Sequence, residues 1–515
     1  MIGKSLNIDP TTDQNLTLGF FQTLLNKPMS SILIEDEFGE EFSLYLILST
    51  LESVNKEIES LDNRKEYVVD GKANIQGFLS ILTAILFGLK IRIIPSVHNY
   101  EKSELNSIIT NKINELKFDK KFINPTKFNS ERYLGIKKIL NKKIYDIKSD
   151  FQITLETSGT TSTPVQIKLN LSALIFQGNE VSKSLQLTSK DRQLFYMPLN
   201  YVYGVSIIMT SLIPGACLVV SSSNLENPNT FLEQIKQRGI TIFSGVPYVY
   251  QLLKKWGISN LKNSKLRTLT QAGGKLGVDI KNEIINKLPR CKFFIMYGQT
   301  EFGGRITQFE LKSNLDHIES VGRPLSKILI VIVSEDQKLL ADGKLGEVFV
   351  HTPSLSSNLK NLTNLIRHQS KDYFATGDLG YLKDGFLYIE GRNKNFVKIA
   401  GKRLNLTLIE SHLKLSIMID ECVIEFDEIK FPKILIGIFS KSFKGVNSQA
   451  EMKIIISEIL SSNPVILKII NGIPFFCYII NGKVPLLMNN KINSKEIKLK
   501  LINNYYDKKH LHIWL

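Results

Sequence analysis

Apolar positions along the chain fall into short runs, separated by longer stretches in which they recur every three or four residues. Glu66–Asp70 (EYVVD) reads as a strand, Asn74–Gly88 as a buried helix and Lys90–Ile94 as the next strand. A strand–helix–strand unit of this length implies parallel pairing through a right-handed crossover. The same pattern predicts strands at Ile153–Leu155, Cys217–Ser221, Ile240–Phe243 and Phe293–Met296. The fold class that follows is α/β, with a large amino-terminal domain of parallel-rich sheets. In such sheets ligands bind beyond the carboxyl ends of strands. Two of the predicted strands run straight into the most unusual loops of the chain, at Glu156 and at Tyr297.

The order of elements changes after residue 390. A helix over Leu406–Leu415, strands over Cys422–Phe426 and Ile434–Phe439, and a helix over Gln449–Leu460 describe a small α+β unit. The polar, glycine-led segment Gly391–Lys398 (GRNKNFVK) is the boundary, and no internal repeats are visible. The expected division is a large domain over 1–391 and a small one over 395–515.

Composition narrows the class without naming a function. Of 515 residues, 43% are apolar and 22% charged, which excludes collagen-like, low-complexity and disordered chains. The formal net charge of +16, from 65 Lys and Arg against 49 Asp and Glu, fits a polyanion-binding surface or a solvated lysine-rich one. No basic run reaches the block of like charges that marks a binding tail, and no stacking-aromatic module points to nucleic acid. Cys217, Cys291, Cys422 and Cys477 are far apart with no CxxC pair, a pattern suited to a reducing cytoplasm. The start, MIGKSLNIDP, lacks an apolar signal core. The longest apolar stretches, Ile75–Leu89 and Val205–Val220, are too short or too interrupted to span a bilayer and read as buried elements.

Three loops carry candidate chemistry. Thr157 to Pro164 (TSGTTSTP) packs five hydroxyls and a glycine into eight residues after a strand. Freed backbone N–H groups and short hydroxyl side chains can surround phosphate oxygens there, although a plain Ser/Thr turn has the same composition. The stretch does not match the GxxxxGK[ST] pattern. Tyr297-Gly298-Gln299-Thr300-Glu301 ends a strand in an aromatic, a glycine and a carboxylate, residue types able to stack on a base and hold Mg²⁺, or simply to make a β-turn. Ala375 to Tyr381 (ATGDLGY) places Asp378 at a tight turn that can accept from a ribose diol. Arg392 follows it and can pair with a phosphate, while Asp384-Gly385 marks a hairpin.

In this order and spacing the loops resemble the adenylate-forming (AMP-binding) superfamily of acyl- and aryl-CoA ligases, luciferase and peptide-synthetase adenylation domains. The family pattern TSGTTGxPK, YGxTE, TGD, GRxxDxIKxxGxR stands here as TSGTTSTPV, YGQTE, TGD, GRNKNFVKIAGKR. Gln271-Ala272-Gly273-Gly274, with Lys275 beside it, is similar to the adenine-side loop. Met197 to Gly204 (MPLNYVYG) resembles the start of the acid-pocket helix, and Asn489-Asn490-Lys491-Ile492 the NGK[IV] element. Ser162, Val165, Asn395 and Asn490 depart from the pattern.

The resemblance implies a small, mobile carboxy-terminal lid and an ATP- and Mg²⁺-dependent enzyme that makes an acyl-adenylate and pyrophosphate. Thr157, Ser158, Gly159, Thr160 and Thr161 would hold the pyrophosphate end, and Glu301 the metal. Gly273, Gly274, Lys275, Tyr297, Gly298, Gln299 and Thr300 would frame the nucleotide. Asp378 would meet the ribose, Arg392 the ribose and phosphate, and Lys491 would bridge carboxylate and α-phosphate. Lys394 stands at the hinge and Gly401 at the thiol entrance. The acid pocket would draw on Asn200, Tyr201, Tyr203 and Gly204, a stretch with no carboxylate to meet an α-ammonium, which favours a fatty, aryl or other carboxylic acid. An amino-acid-activating ligase is the alternative within the class, and a non-catalytic nucleotide-binding scaffold the alternative outside it. The acceptor would be coenzyme A or phosphopantetheine on a separate carrier protein.

Overall fold

The computed structural model describes residues 13–28, 30–53, 61–95, 151–157, 165–221, 225, 227–359, 364–393, 396–399, 402–414, 419, 421–427, 433–439, 454–459, 475–479, 496, 501 and 511–512. Contacts divide the chain into two units. The first takes in Met1–Val331, Phe349–Phe374 and Lys383–Tyr388, and the second Ile332–Val348, Ala375–Leu382 and Ile389–Leu515. The expected hinge residue Lys394 lies outside the described residues.

The first unit is built on strands β1 (Ile32–Glu35), β2 (Glu41–Ser43), β3 (Glu66–Asp70), β4 (Lys90–Ile94), β5 (Gln152–Thr157), β6 (Val165–Asn170), β7 (Arg192–Phe195), β8 (Cys217–Val220), β9 (Ile242–Gly245), β10 (Thr268–Gln271), β11 (Lys292–Tyr297), β12 (Thr307–Glu310) and β13 (Arg323–Pro324). Nine of them form one sheet of order β13-β12-β11-β10-β9-β7-β8-β1-β2. The pairs from β1 through β8, β7, β9 and β10 to β11 are parallel, and the end pairs β1–β2, β11–β12 and β12–β13 are antiparallel. β8, β9 and β10 are buried at every position, as parallel strands covered on both faces must be. Aromatic rings fill the space against β9. Phe243 stacks with Tyr196 at 5.8 Å and meets Phe231 edge-on at 5.9 Å.

A second sheet, β3-β4-β5-β6, contains the strand–helix–strand unit expected from the sequence. β3 and β4 are parallel with Glu66 opposite Lys90, and the connecting helix runs Ile75–Phe87. The Asn74 side chain accepts from the Gly77 N–H, and Gly88 closes the helix at φ 66°, the left-handed position that glycine occupies at least cost. Its apolar residues from Ile75 to Leu86 are buried on all sides, and among the described residues no helix is long and apolar enough to cross a membrane.

One strand begins later than its apolar run suggests, at Ile242 rather than Ile240. The preceding helix, Pro228–Gln237, ends with Gly239 at φ 61°. The N–H of Gly239 bonds to Lys236 and that of Ile240 to Ile235. This 6→1 and 5→2 pair is a Schellman closure, which commits the backbone of Ile240 to the helix.

Residues 329–392 supply a five-stranded sheet of order β14-β15-β17-β16, with β18 paired to β17. Its strands are β14 (Leu329–Val333), β15 (Gly346–His351), β16 (Leu365–His368), β17 (Lys371–Lys383) and β18 (Phe386–Arg392). Asp384 and Gly385 join β17 to β18 with φ of 54° and 77°, the double positive φ of a two-residue hairpin turn.

The rest of the second unit comprises β19 (Phe396–Ile399), β20 (Lys402–Asn405), the helix Leu406–Leu413, β21 (Glu421–Asp427), β22 (Lys433–Phe439), β23 (Phe475–Ile479) and β24 (Leu511–His512). The last four strands form a mixed sheet in that order. Ile409, Ile434, Ile436, Ile438, Cys422 and Cys477 belong to one buried cluster. This is the α+β composition read from the sequence. Lys433 is fully buried, and its Nζ lies 2.8 Å from the Asp427 carboxylate.

Candidate active site

β9, β10 and β11 are parallel, so their carboxyl ends emerge on the same edge of the sheet, with Gln271 paired to both Gly245 and Ile295. Beyond β10 the chain turns through Gly273 at φ 84°. Gly273, Gly274 and Lys275 are exposed, and the Gln271 side chain donates to the Gly274 carbonyl at 2.7 Å. Tyr297 leaves β11 one strand away. Gly298 and Gln299 lead into a 3₁₀ turn over Thr300–Phe302.

The turn is held by sterics and by its own backbone. A Cβ on Gly298 would lie 1.5 Å from the Gly304 carbonyl oxygen, so no other residue fits there without moving the loop. The N–H of Gly304 bonds to Gln299 at 3.0 Å and that of Ile306 to Tyr297 at 2.8 Å. Glu301 is partly exposed, and its carbonyl accepts from the Ser356 N–H at 2.9 Å.

The serine–threonine loop connects a hairpin rather than a strand and a helix. Thr157 at the end of β5 pairs with Val165 at the start of antiparallel β6. Ser158, Gly159, Thr160 and Thr161 lie outside the described residues. The outgoing strand is tied to the Glu301 turn by a segment that sequence reasoning missed. Ser356 Oγ and the Ser357 N–H both donate to the Lys168 carbonyl, and Asn358 donates to Gln166. Gln177 adds a second tie, donating to Arg305 O at 2.8 Å and Ser354 Oγ at 2.7 Å.

The predicted acid-pocket residues open the helix Val202–Leu212. A Cβ on Gly204 would lie 2.2 Å from the Pro198 carbonyl oxygen, so the segment before the helix packs directly on its first turn. Asn200 and Tyr203 are buried. The Tyr203 hydroxyl lies 3.0 Å from Thr270 Oγ1, on the last turn-facing positions of β10. Burial pushes the Tyr201 phenol above its ordinary range, with a hydrogen bond to Asn200 opposing it. Tyr203 also stacks under a residue the sequence did not single out: the Arg305 guanidinium stands 4.1 Å from its ring centroid.

In the second unit, Gly377 at φ 73° turns β17 so that Thr376 Oγ1 donates to Val348 and accepts from the Asp378 N–H. Asp378 is 5% exposed, and one of its carboxylate oxygens lies 3.5 Å from the Nε of exposed Arg392. Asp378 and Arg392, predicted separately, are therefore neighbours. Glu347 on β15 is the unpredicted third member. Burial raises its carboxyl above the usual carboxylate range, the Gly377 N–H opposes this, and the Asp378 charge adds to it. Lys491 and Gly401 lie outside the described residues.

Residues 148–358 match the AMP-binding enzyme family. The D-alanine–D-alanyl carrier protein ligase of Bacillus velezensis is 25% identical over 270 residues, covering 50% of this chain and 54% of the ligase. The chain thus spans about half the length of the curated relatives it matches. The Bacillus subtilis O-succinylbenzoate coenzyme A synthetase MenE, solved with ATP and magnesium, superposes with a TM-score of 0.69 at 17% identity, over 93% of this chain and 99% of that one. The McyG A-PCP structure with phenylalanyl-adenylate gives a TM-score of 0.67 at 17% identity, over 99% of this chain and 85% of that one. The chain carries the two-domain fold of these enzymes, and its residues 148–358 are similar to the AMP-binding enzyme family.

Proposed function

We propose that the protein activates a carboxylic acid with ATP as an acyl-adenylate and passes the acyl group to a thiol, on coenzyme A or on the phosphopantetheine of a separate carrier protein. The observation that carries this reading is the shared edge of β10 and β11, where the Gly273-Gly274 loop and the Tyr297–Glu301 turn emerge on adjacent parallel strands.

A carboxylate is a poor acyl donor because its leaving group would be oxide. Attack of the carboxylate oxygen on the α-phosphorus of ATP expels pyrophosphate and leaves a mixed anhydride, whose later attack by a thiolate releases AMP. Side chains have little covalent work in either step, so positioning and charge stabilisation supply the rate. Gly273 and Gly274 leave room for the adenine, and Tyr297 offers it an aromatic face. Asp378 accepts from the ribose hydroxyls, with Arg392 beside it. Thr157 to Thr161 receive the pyrophosphate end, and Lys491 supports the charge that builds between carboxylate and α-phosphate.

Glu301 fits Mg²⁺, because it is a partly exposed carboxylate on a fixed turn, and a phosphate-bound Mg²⁺ takes only one or two protein carboxylates and keeps several waters. That ion would neutralise phosphate charge. No cluster of three or more metal-binding side chains occurs among the described residues, which accords with a metal held mainly by its substrate. Lys394 is proposed as the hinge of a small lid that alternates between the half-reactions, with Gly401 at the thiol entrance.

The test is ATP–pyrophosphate exchange over a panel of acids, followed by product analysis with coenzyme A and with a carrier protein. Acid-dependent exchange supports the reading, and ATP binding without exchange for any acid identifies a scaffold instead. The likeness to D-alanine ligases favours an amino acid as second reading, and alanine belongs in the panel for that reason.

A further inference from the structure

Arg305 is 5% exposed and follows the Gly303-Gly304 pair that ends the Glu301 turn. Its guanidinium donates through Nη1 to Ser206 Oγ at 2.6 Å, reaches Met296 Sδ through Nε at 3.4 Å and lies over the Tyr203 ring. No carboxylate stands within ion-pair distance among the described residues. Burial holds the group below the ordinary guanidinium range, with the Tyr203 phenol opposing, yet arginine keeps its proton in proteins. Other shielded arginines of this unit are treated differently: Arg192 and Arg238 share the buried Glu35, and Arg267 pairs with Asp191.

A buried cation without a counter-charge is costly, and the contacts of Arg305 locate where an anion would relieve it. Ser206 is one helical turn deeper than the pocket residues at Asn200–Tyr203, and Met296 is one residue further into β11 than Tyr297. The cationic head therefore lies beneath the carboxyl end of β11, against the first turns of the helix Val202–Leu212. We infer that Arg305 receives a second carboxylate of the acid, at the end remote from the one activated, so the substrate class is a dicarboxylic acid. The same charge repels an α-ammonium and sets this chain apart from amino-acid activation. The inference rests on the acid-activating reading above.

Pyrophosphate exchange with C4 to C8 α,ω-dicarboxylates, their monomethyl esters, chain-matched monocarboxylates and alanine tests it. For the wild-type protein the expected preference in kcat/KM for a diacid over its monomethyl ester is on the order of 10²-fold, because a site built for a polar group rejects the analogue lacking it. Arg305→Met should erase or reverse that preference with the KM for ATP changed less than about threefold, and Arg305→Lys should keep part of it. A structural role would instead lower exchange with every acid equally. A wild-type preference for monocarboxylates or alanine overturns the inference while leaving acid activation standing, and this arm needs no variant to fold. Exchange with none of the acids overturns the activity itself and the inference with it.

Discussion

At the amino-terminal edge of the nine-stranded sheet, Asp191 precedes β7 and receives two hydrogen bonds from Arg267, which precedes β10, at 2.7 and 2.6 Å. Thr241 and the Thr188 N–H complete its shell. At the opposite edge Arg305, more deeply buried than Arg267, meets a hydroxyl, a thioether and a ring. The first arrangement pairs each charge with its opposite. The second has no carboxylate within ion-pair distance among the described residues. The two arrangements lie at opposite ends of the same parallel strands, and open α/β sheets bind ligands at the carboxyl ends.

The comparison can be broken most severely at the carboxy-terminal edge. Gly298→Ala forces a methyl group onto the Gly304 carbonyl, and relieving the overlap should cost about 3 kcal/mol or more in unfolding free energy and at least tenfold in exchange. Chemical denaturation and exchange assays check both.

Arg267→Met strands the buried Asp191 carboxylate. About 2–3 kcal/mol of stability should go, discounted because Arg267 is itself one-third exposed, with acid preference unchanged. The pH dependence has a definite sign. Burial raises the Asp191 carboxyl, but Arg267, Thr188 and Thr241 outweigh it and hold it below the usual carboxylate range. Its contribution is therefore present above the ordinary aspartate pKa and lost as pH falls through the lower folded value. The stability gap between wild type and Arg267→Met should narrow in that acid range. A gap that stays constant to pH 2 contradicts the assignment. Arg305→Met sharpens the contrast. It should change unfolding free energy by only about 1 kcal/mol in either direction, because it removes a buried charge with no carboxylate within ion-pair distance among the described residues.

The smallest effect belongs to the second unit. Because the folded pKa of Glu347 is raised, its ionisation opposes folding as pH rises through the window from the ordinary glutamate pKa to the folded value. Glu347→Gln should raise the thermal midpoint slightly at pH 7 and lose that advantage below about pH 4. A lower midpoint at pH 7 would show that the carboxylate is needed there.

Much of this was legible in the sequence where local chemistry decides the outcome. The Asp384-Gly385 hairpin, the Asn74 and Gly88 helix ends and the apolar runs of β8 and β11 each depend on residues within a few positions of one another. Ile240 was misjudged as a strand residue because its apolar side chain belongs to the sheet pattern while its N–H belongs to the helix end.

The site was half legible. Its loops announce themselves, but their supports come from distant segments: Gln177 reaches Arg305 across 128 positions, and Asn358 reaches Gln166 across 192. No periodicity records such pairings. Arg305 did leave one local trace, a lone charge in the unbroken buried run of residues 302–309. The departures at Ser162 and Asn490, like Thr160 and Lys491 themselves, fall outside the described residues.

In the proposed reaction the carboxyl-end edge of the large sheet binds ATP while Lys491 supports the charge of acid attack. Lys491→Ala, assayed side by side for ATP binding by calorimetry and for acid-dependent pyrophosphate exchange, addresses it most directly. Exchange should fall about 10²–10³-fold with the dissociation constant for ATP nearly unchanged. Equal loss of binding and exchange, or exchange at the wild-type rate, would contradict it.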